Sequence, residues 1–251
     1  MKFTFLGTGT STGVPEIGCR CEVCTSRDTR DKRMRTSALV EVDGKRIIID
    51  CGPDFRYQML SNRIAWIDAV LITHEHYDHV GGLDDIRPLG REKDLQIYAE
   101  ENVIEAIKTR MPYAFGANKY PGVPQLDLFS IANQSFNIFG IPVIPIRLMH
   151  GRLPILGFRI GHMAYLSDLT SIPEEEFEKL QNLDVLVIEA LKKGTHPSHE
   201  GLEEALIQIE RIKPKAAYLI HMSHRIGLHA VVDRELDSHI HLAYDGLSIE
   251  F

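Results

Sequence analysis

The amino-acid sequence predicts an α/β (α+β) architecture, a four-layer αββα sandwich in which two mixed β-sheets pack face to face with helices outside. Three observations carry this expectation. Short apolar or alternating runs of strand length recur along the whole chain. They come in two blocks, each accompanied by segments of helical spacing, in the order strands, helices, strands, helices. Several of the strands run directly into a histidine or an aspartate, as they do when a sheet edge carries a site. No repeat, composition shift or low-complexity linker divides the 251 residues, so a single domain over 1–251 is expected.

The elements follow in order. Residues 2–6 alternate like a strand and enter a glycine-rich turn, Gly7 to Gly13. That turn lacks the Lys-Ser/Thr ending of a nucleotide-triphosphate loop, so it reads as a strand turn bordering the site. The segment 18–34 mixes Arg, Asp and three cysteines and reads as loop. Thr36 to Val42 and Arg46 to Ile49 flank Asp43-Gly44, a hairpin signal, and Asp50-Cys51-Gly52-Pro53-Asp54 closes the second strand. A short helix over 55–62, a strand over 69–72, a helix beginning within 84–91 and a strand over 95–99 come next. Residues 100–111 have helical spacing at Val103, Ile104 and Ile107, and 112–124, rich in Pro, Gly and aromatics, read as an irregular surface loop. Strands then dominate, over 125–131, 135–139, 141–148, 155–160 and 163–166. A helix over 174–180, a buried strand over 185–189, a helix over 199–212, a strand over 216–220 and a strand within 238–242 complete the pattern.

The chemistry concentrates after strand 69–72, in Thr73-His74-Glu75-His76-Tyr77-Asp78-His79. Imidazole and carboxylate donors together suit Zn, Mn or Fe. Further strand ends deliver His150, Asp168 and His221, and Asp50 ends the strand 46–49. Each of these alone is weak: a lone histidine after a strand is more often structural, and Asp168 in Ser-Asp-Leu-Thr-Ser also suits an N-cap. A second cluster, Cys19, Cys21 and Cys24, favours metal over disulfide in a reducing compartment. Three thiolates need a fourth ligand for tetrahedral zinc, and Cys51 and His224 are the candidates.

Composition sets bounds on function. Hydrophobic content of 44% and charged content of 25% are ordinary for a globular protein. A net charge of −7 argues against broad nucleic-acid binding, while bound dications would reverse the local potential for a small anion. No apolar stretch approaches the ~20 residues of a membrane span, and the first residues lack the apolar core of a secretory signal. A cytoplasmic location without a membrane partner is the expectation.

The pattern HxHxDH at 74–79, followed by Val80-Gly81-Gly82, resembles the metal-binding signature of the metallo-β-lactamase superfamily. The resemblance implies two divalent cations (Zn, Mn or Fe). One would take His74, His76 and His150, the other Asp78, His79 and His221, with Asp168 bridging and Asp50 supporting a ligand by hydrogen bonding. The loop Gly18 to Cys24 and the pair His221 and His224 narrow the likeness to the PhnP-type phosphodiesterases, the cyclic-phosphate-cleaving enzymes of the carbon–phosphorus lyase pathway. So do Gly52-Pro53-Asp54-Phe55-Arg56, Tyr120-Pro121-Gly122-Val123-Pro124 and Ala243-Tyr244-Asp245-Gly246. This likeness spans nearly the whole chain. It implies a structural zinc on Cys19, Cys21, Cys24 and His224 in a loop at about 18–34, with Cys51 left as an inert buried thiol.

The function so implied is a di-metal phosphoric diester hydrolase, cleaving a small cyclic phosphodiester such as a ribosyl or nucleoside cyclic phosphate through a metal-bridged hydroxide. Asp78 and His199 are the candidate catalytic residues. His199 aligns with a family histidine suited to protonate the leaving oxygen, and His196 is the alternative. Arg35, Arg56 and Arg152 are weak candidates for phosphate contact; His229, His239 and His241 carry little signal. Rival readings are a ribonuclease Z-like tRNA 3′-processing endonuclease, a thioester or lactam hydrolase, and a non-catalytic metal or cofactor carrier of the PqqB type. The acidic balance and the absence of a long Gly- and basic-rich arm count against the ribonuclease. Only the resemblance speaks for a homodimer.

Overall fold

The computed structural model describes residues 1–89, 95–116 and 120–251. The end of the helix expected over 84–91 and the middle of the loop expected over 112–124 lie outside the described residues. The strands are β1 (Lys2–Gly7), β2 (Ser37–Val42), β3 (Lys45–Ile49), β4 (Ala69–Leu71), β5 (Leu95–Glu100), β6 (Leu126–Ile131), β7 (Phe136–Ile138), β8 (Ile141–His150), β9 (Leu153–Ile160), β10 (Met163–Leu166), β11 (Val185–Glu189), β12 (Ala216–Ile220), β13 (Ile240–Leu242) and β14 (Ser248–Glu250). They form two seven-stranded sheets, ordered β14-β1-β2-β3-β4-β5-β6 and β13-β12-β11-β10-β9-β8-β7.

Side-chain alternation dictates the layering. Ile47 and Ile49 of β3, Ala69 and Leu71 of β4, and Val185 and Val187 of β11 face the space between the sheets, where Phe3, Phe5, Phe158 and Tyr165 meet them. Their neighbours Ile48, Val70 and Ile72 point outward, against Phe55 and Met59 of α2 (Phe55–Ser61) and Val103, Ile104 and Ile107 of α4 (Glu101–Arg110). On the far side, Leu186 and Ile188 pack on Leu202, Ala205 and Ile209 of α6 (Leu202–Ile212) and Val232 of α7 (His229–Glu235). The result is helices, sheet, sheet, helices: the αββα sandwich the sequence predicts.

Strand direction positions the site. The strands β3 to β6 run parallel to one another, as do β10 to β13. Strand β8 is antiparallel to β9, which is antiparallel to β10, so β8 points the same way as β10. Asp50, the His motif, His150, Asp168, Glu189 and His221 therefore all sit at the carboxyl ends of strands. The hairpin between β2 and β3 turns on Asp43 and Gly44, both at positive φ (49° and 72°), as a tight hairpin requires.

Several boundaries differ from expectation. Segment 18–34 is not wholly loop: it contains the one-turn α1 (Glu22–Thr25) and a 3-10 turn at Thr29–Asp31. His150 is the last residue of β8 rather than a residue beyond it. The helix expected over 174–180 is 3-10, a short, acidic segment after Pro173 with too little apolar face to hold an α-helix. The helix expected from 199 begins at Leu202. The Glu204 carboxylate reaches back 2.6 Å to the Gly201 N–H and closes the first turn there, leaving His199 in a loop. Residues 112–124 open with the short α5 (Pro112–Phe115). Helix α7 and strand β14 carried no sequence expectation. No helix among the described residues is long and apolar enough to cross a membrane.

Candidate metal centre

The His motif leaves β4 and turns into α3 (Tyr77–Val80), which fans its side chains around one edge of the sandwich. Asp78, His79, Asp168 and His221 each offer a ligand atom, and these four atoms all lie within 4.8 Å of one another. His79 Nε2 is 3.3 Å from Asp78 and 3.1 Å from Asp168, while His221 Nε2 is 3.3 Å from Asp168 and 3.8 Å from Asp78. The rings of His74 and His76 are 4.6 Å apart, His76 and His150 5.1 Å, and His74 and His150 5.8 Å. All seven side chains singled out as active-site ligands converge here, and the two groups adjoin, the rings of His79 and His74 lying 4.2 Å apart at a tilt of 45°.

The donor set fits cations. His74, His79 and His221 are buried, yet their Nε2 atoms make no hydrogen bond, and His150 Nδ1 is likewise unpartnered. The carboxylate oxygens beside His79 and His221 are close but out of line for hydrogen bonding, as donors are when they surround a common point. The outward nitrogens are held elsewhere. His79 Nδ1 lies 2.7 Å from Asp50, a carboxylate that also accepts from the Thr73 N–H (2.8 Å) and hydroxyl (2.9 Å). With its own hydrogen given to Asp50, the Thr73 hydroxyl accepts from His74 Nδ1 at 2.9 Å. Both imidazoles thus turn Nε2 lone pairs into the site, the arrangement a bound metal needs.

Charge reinforces this. Burial opposes ionisation of Asp168, but His221 and His79 beside it hold its carboxyl well below the usual range. Burial likewise opposes protonation of His221, yet Asp168, Asp78 and Glu189 push it up to about 10. His79 is raised the same way by Asp168 and Asp50, against burial, whereas burial lowers His74 and His150. Without cations this edge stores protons; with them, those protons must leave.

Glu189, at the end of β11, carried no expectation from the sequence. It is fully buried and accepts from His199 Nδ1 at 2.6 Å, with His221 Nδ1 at 3.3 Å. One carboxylate therefore holds the candidate general acid by a hydrogen bond and sets its charge beside a candidate ligand. The available signal was an acidic residue closing the apolar run Val185-Leu186-Val187-Ile188. His199 lies 3.9 Å from Asp168 and 4.7 Å, ring to ring, from His150, while His196 stands one ring further out, 5.3 Å from His199. Geometry places His199, not His196, against the ligands.

The Cys loop makes a second cluster. His224 Nδ1 lies 3.1 Å from Cys19 Sγ, 3.3 Å from Cys21 Sγ and 3.4 Å from Cys24 Sγ. These four offer ligand atoms within 4.8 Å of one another, and His224 Nε2 faces Glu16 at 3.5 Å. The Cys24 backbone N–H pulls the Cys21 thiol down to about 6, while burial raises Cys24. Cys51 is fully buried elsewhere. Of the arginines considered, Arg35 is committed to Asp54 (3.0 Å) and the Ser11 carbonyl, Arg56 lines a separate groove with Asp84 and Asp85, and Arg152 is exposed beyond β8. None reaches the ligands. His229 is buried against Arg33, and His239 is exposed.

A family model, the β-lactamase superfamily domain, matches residues 45–222. A curated relative, an octanoyltransferase of Porphyromonas gingivalis, is 50% identical over 250 residues, covering 98% of this chain but 51% of its own length. The chain spans about half the length of that relative. Among solved structures, a diphosphatase from the PhnP family is 40% identical with a TM-score of 0.93, over 100% of this chain and 96% of that one. Zinc-bound PqqB from Methylobacterium extorquens shares the fold at a TM-score of 0.78 and 19% identity, each chain covered in full.

Proposed function

Because this chain belongs to the β-lactamase superfamily, and within it to the PhnP family, we propose that it is a metal-dependent phosphodiesterase acting on a small, cyclic phosphodiester. One observation carries the reading: seven His and Asp side chains from four strand ends converge with unpartnered nitrogens aimed at a common space. His74, His76 and His150, together with Asp78, His79, His221 and Asp168, would hold divalent cations, which would supply Lewis acidity toward phosphoryl oxygens and an activated water. The chain's residues do the rest. Asp50 and Thr73 fix the imidazoles; Asp78 and Asp168 balance the positive charge; Glu189 holds His199 by its Nδ1, leaving Nε2 to pass a proton to the departing sugar oxygen. Cys19, Cys21, Cys24 and His224 would hold a structural zinc, since three sulfurs and one nitrogen complete a tetrahedral set.

An acyl-transfer reading gains nothing from the octanoyltransferase relative, of which this chain matches only half. Three of its thiols gather around His224 and Cys51 is fully buried, so none pairs with a base at an open site. The test is hydrolysis of bis-p-nitrophenyl phosphate beside p-nitrophenyl phosphate and a precursor tRNA. Turnover of the diester alone supports the proposal; cleavage of the tRNA at its 3′ side, or inactivity on all three with metals bound, overturns it.

A further inference from the structure

The Cys cluster has an asymmetry that zinc binding alone does not require. Cys21 is exposed, Cys19 is half-buried, and Cys24 is buried against Val14 and Val23. Cys21 caps the one-turn α1, and Cys24 lies on that same turn, its backbone N–H donating to Cys21 Sγ at 3.5 Å. Residues three apart on a helical turn have Cβ atoms about 5–6 Å apart, a small adjustment away from the roughly 3.5–4.5 Å of a disulfide. The two sulfurs already lie within 4.8 Å of each other. A thiol that meets solvent thus stands in front of an inner thiol able to reach it. The remaining cysteine, Cys51, is fully buried in the helix-facing core beside β3 and can join neither.

The metal edge is fastened independently of this loop. The Met222 N–H donates to the Thr8 carbonyl at 2.9 Å, and the Met222 carbonyl accepts from the Thr10 N–H at 3.1 Å. The Ser223 N–H and hydroxyl both donate to the Leu191 carbonyl, at 2.8 and 2.9 Å. His221 therefore keeps its place without help from His224. On its other side the cluster reaches the candidate general acid: Glu16 and His224, with Thr10, Lys192 and Arg225, wall a cavity of about 230 Å³ past His199.

We infer that Cys21 and Cys24 are a hydroperoxide-sensitive pair, whose closure to a disulfide costs the cluster its zinc and opens the wall beside His199 while the His and Asp edge keeps its cations. The Cys21 thiolate attacks one peroxide oxygen; an S–O bond forms, the O–O bond breaks and hydroxide leaves. The Cys24 thiolate then attacks the Cys21 sulfur; the S–S bond forms, the S–O bond breaks and a second hydroxide leaves. The two sulfurs together give up two electrons, and the peroxide takes both. One thiolate, Cys19, and one imidazole, His224, then remain, too few for a tetrahedral zinc. Neither step involves a phosphoryl group, so this chemistry stands whether or not the diesterase reading does.

The test treats metal-loaded protein with hydrogen peroxide, alkylates the free thiols and digests with trypsin, which cuts after Arg20 and Arg27 and so parts Cys19 from the other two thiols. The peptide Cys21 to Arg27 should appear lighter by two hydrogens and closed to alkylation. A zinc-sensitive dye should show one zinc per chain released in step with it, the other cations being retained, and a dithiol with added zinc should reverse both changes. A disulfide from Cys19, zinc loss with the Cys21 to Arg27 peptide still reduced, or intact thiols and full zinc at excess peroxide would each overturn the pair. Edge cations lost together with the cluster's zinc would overturn the separation of the two sites. Closure of the same disulfide in protein that binds no zinc at the cluster overturns the structural-zinc reading and leaves the oxidisable pair standing.

Discussion

Single residues set the chemistry, and Glu189 is the most informative of them. Its carboxylate holds His199 by a hydrogen bond and lies 3.3 Å from His221 Nδ1, so Glu189→Gln keeps the volume but removes the charge that both imidazoles face. Turnover should fall roughly ten- to a hundredfold, the usual cost of losing an outer partner of a metal site, with the zinc of the Cys cluster retained; wild-type kcat/KM in this variant would remove Glu189 from the account. Proton balance gives a second prediction. His221, pushed up to about 10 in the metal-free edge, is protonated at neutral pH, and ligation needs the neutral imidazole. Metal uptake should therefore release protons and tighten as pH rises toward 10, weakening as pH falls; a chelator competition at two pH values reads the slope, and a flat profile contradicts it. The donors were legible because His and Asp crowded at strand ends have few structural uses. Glu189 was not, since a carboxylate ending an apolar strand looks the same whether it meets solvent or two imidazoles.

At the scale of elements, strand ends do unusual backbone work. Asp50, Asp168 and His221, each just past a strand and each buried, adopt positive φ values of 62°, 58° and 55°. That conformation costs a non-glycine residue roughly 1–2 kcal/mol, and three instances around one site mean the surrounding packing enforces it. The sharp reversal turns each side chain back over the sheet edge instead of along the strand. Gly52 secures the same edge by close approach: a Cβ there would lie 1.9 Å from the Asp78 carbonyl oxygen. Gly52→Ala should push α3 away, lowering stability by about 1–3 kcal/mol and loosening metal binding together; denaturant unfolding with and without metal measures both, and wild-type values for each would refute the contact's importance. Strands were readable from alternation because each sheet face has its own apolar partner. The helix expected from His199 was not: its start is set by the Glu204 contact to Gly201, and the apolar spacing of Leu202, Ala205, Leu206 and Ile209 cannot reveal which turn that contact closes.

Across the molecule, two clusters share one strand exit. His221 and His224 follow β12 three residues apart, one facing the metal edge and the other the Cys loop. The loop is thin in apolar support, with Val14, Val23 and Cys24 its small buried group, so its order depends on the cluster. Cys21→Ala should lower the melting temperature by several degrees and remove one zinc per chain; an unchanged melting curve and metal content would deny a structural site. The layered architecture was legible from the order of strands and helices, whereas the cavity past His199 was not, because Thr10, Lys192 and Arg225 are distant in sequence and meet only when three strand ends align. The central claim is that the converging side chains enclose a pair of cations. Anomalous diffraction from metal-loaded crystals tests it directly: the account predicts two peaks about 3.5–4 Å apart flanking Asp168, plus a third within Cys19, Cys21, Cys24 and His224. An edge without paired peaks, its imidazoles turned outward at full metal loading, would contradict it.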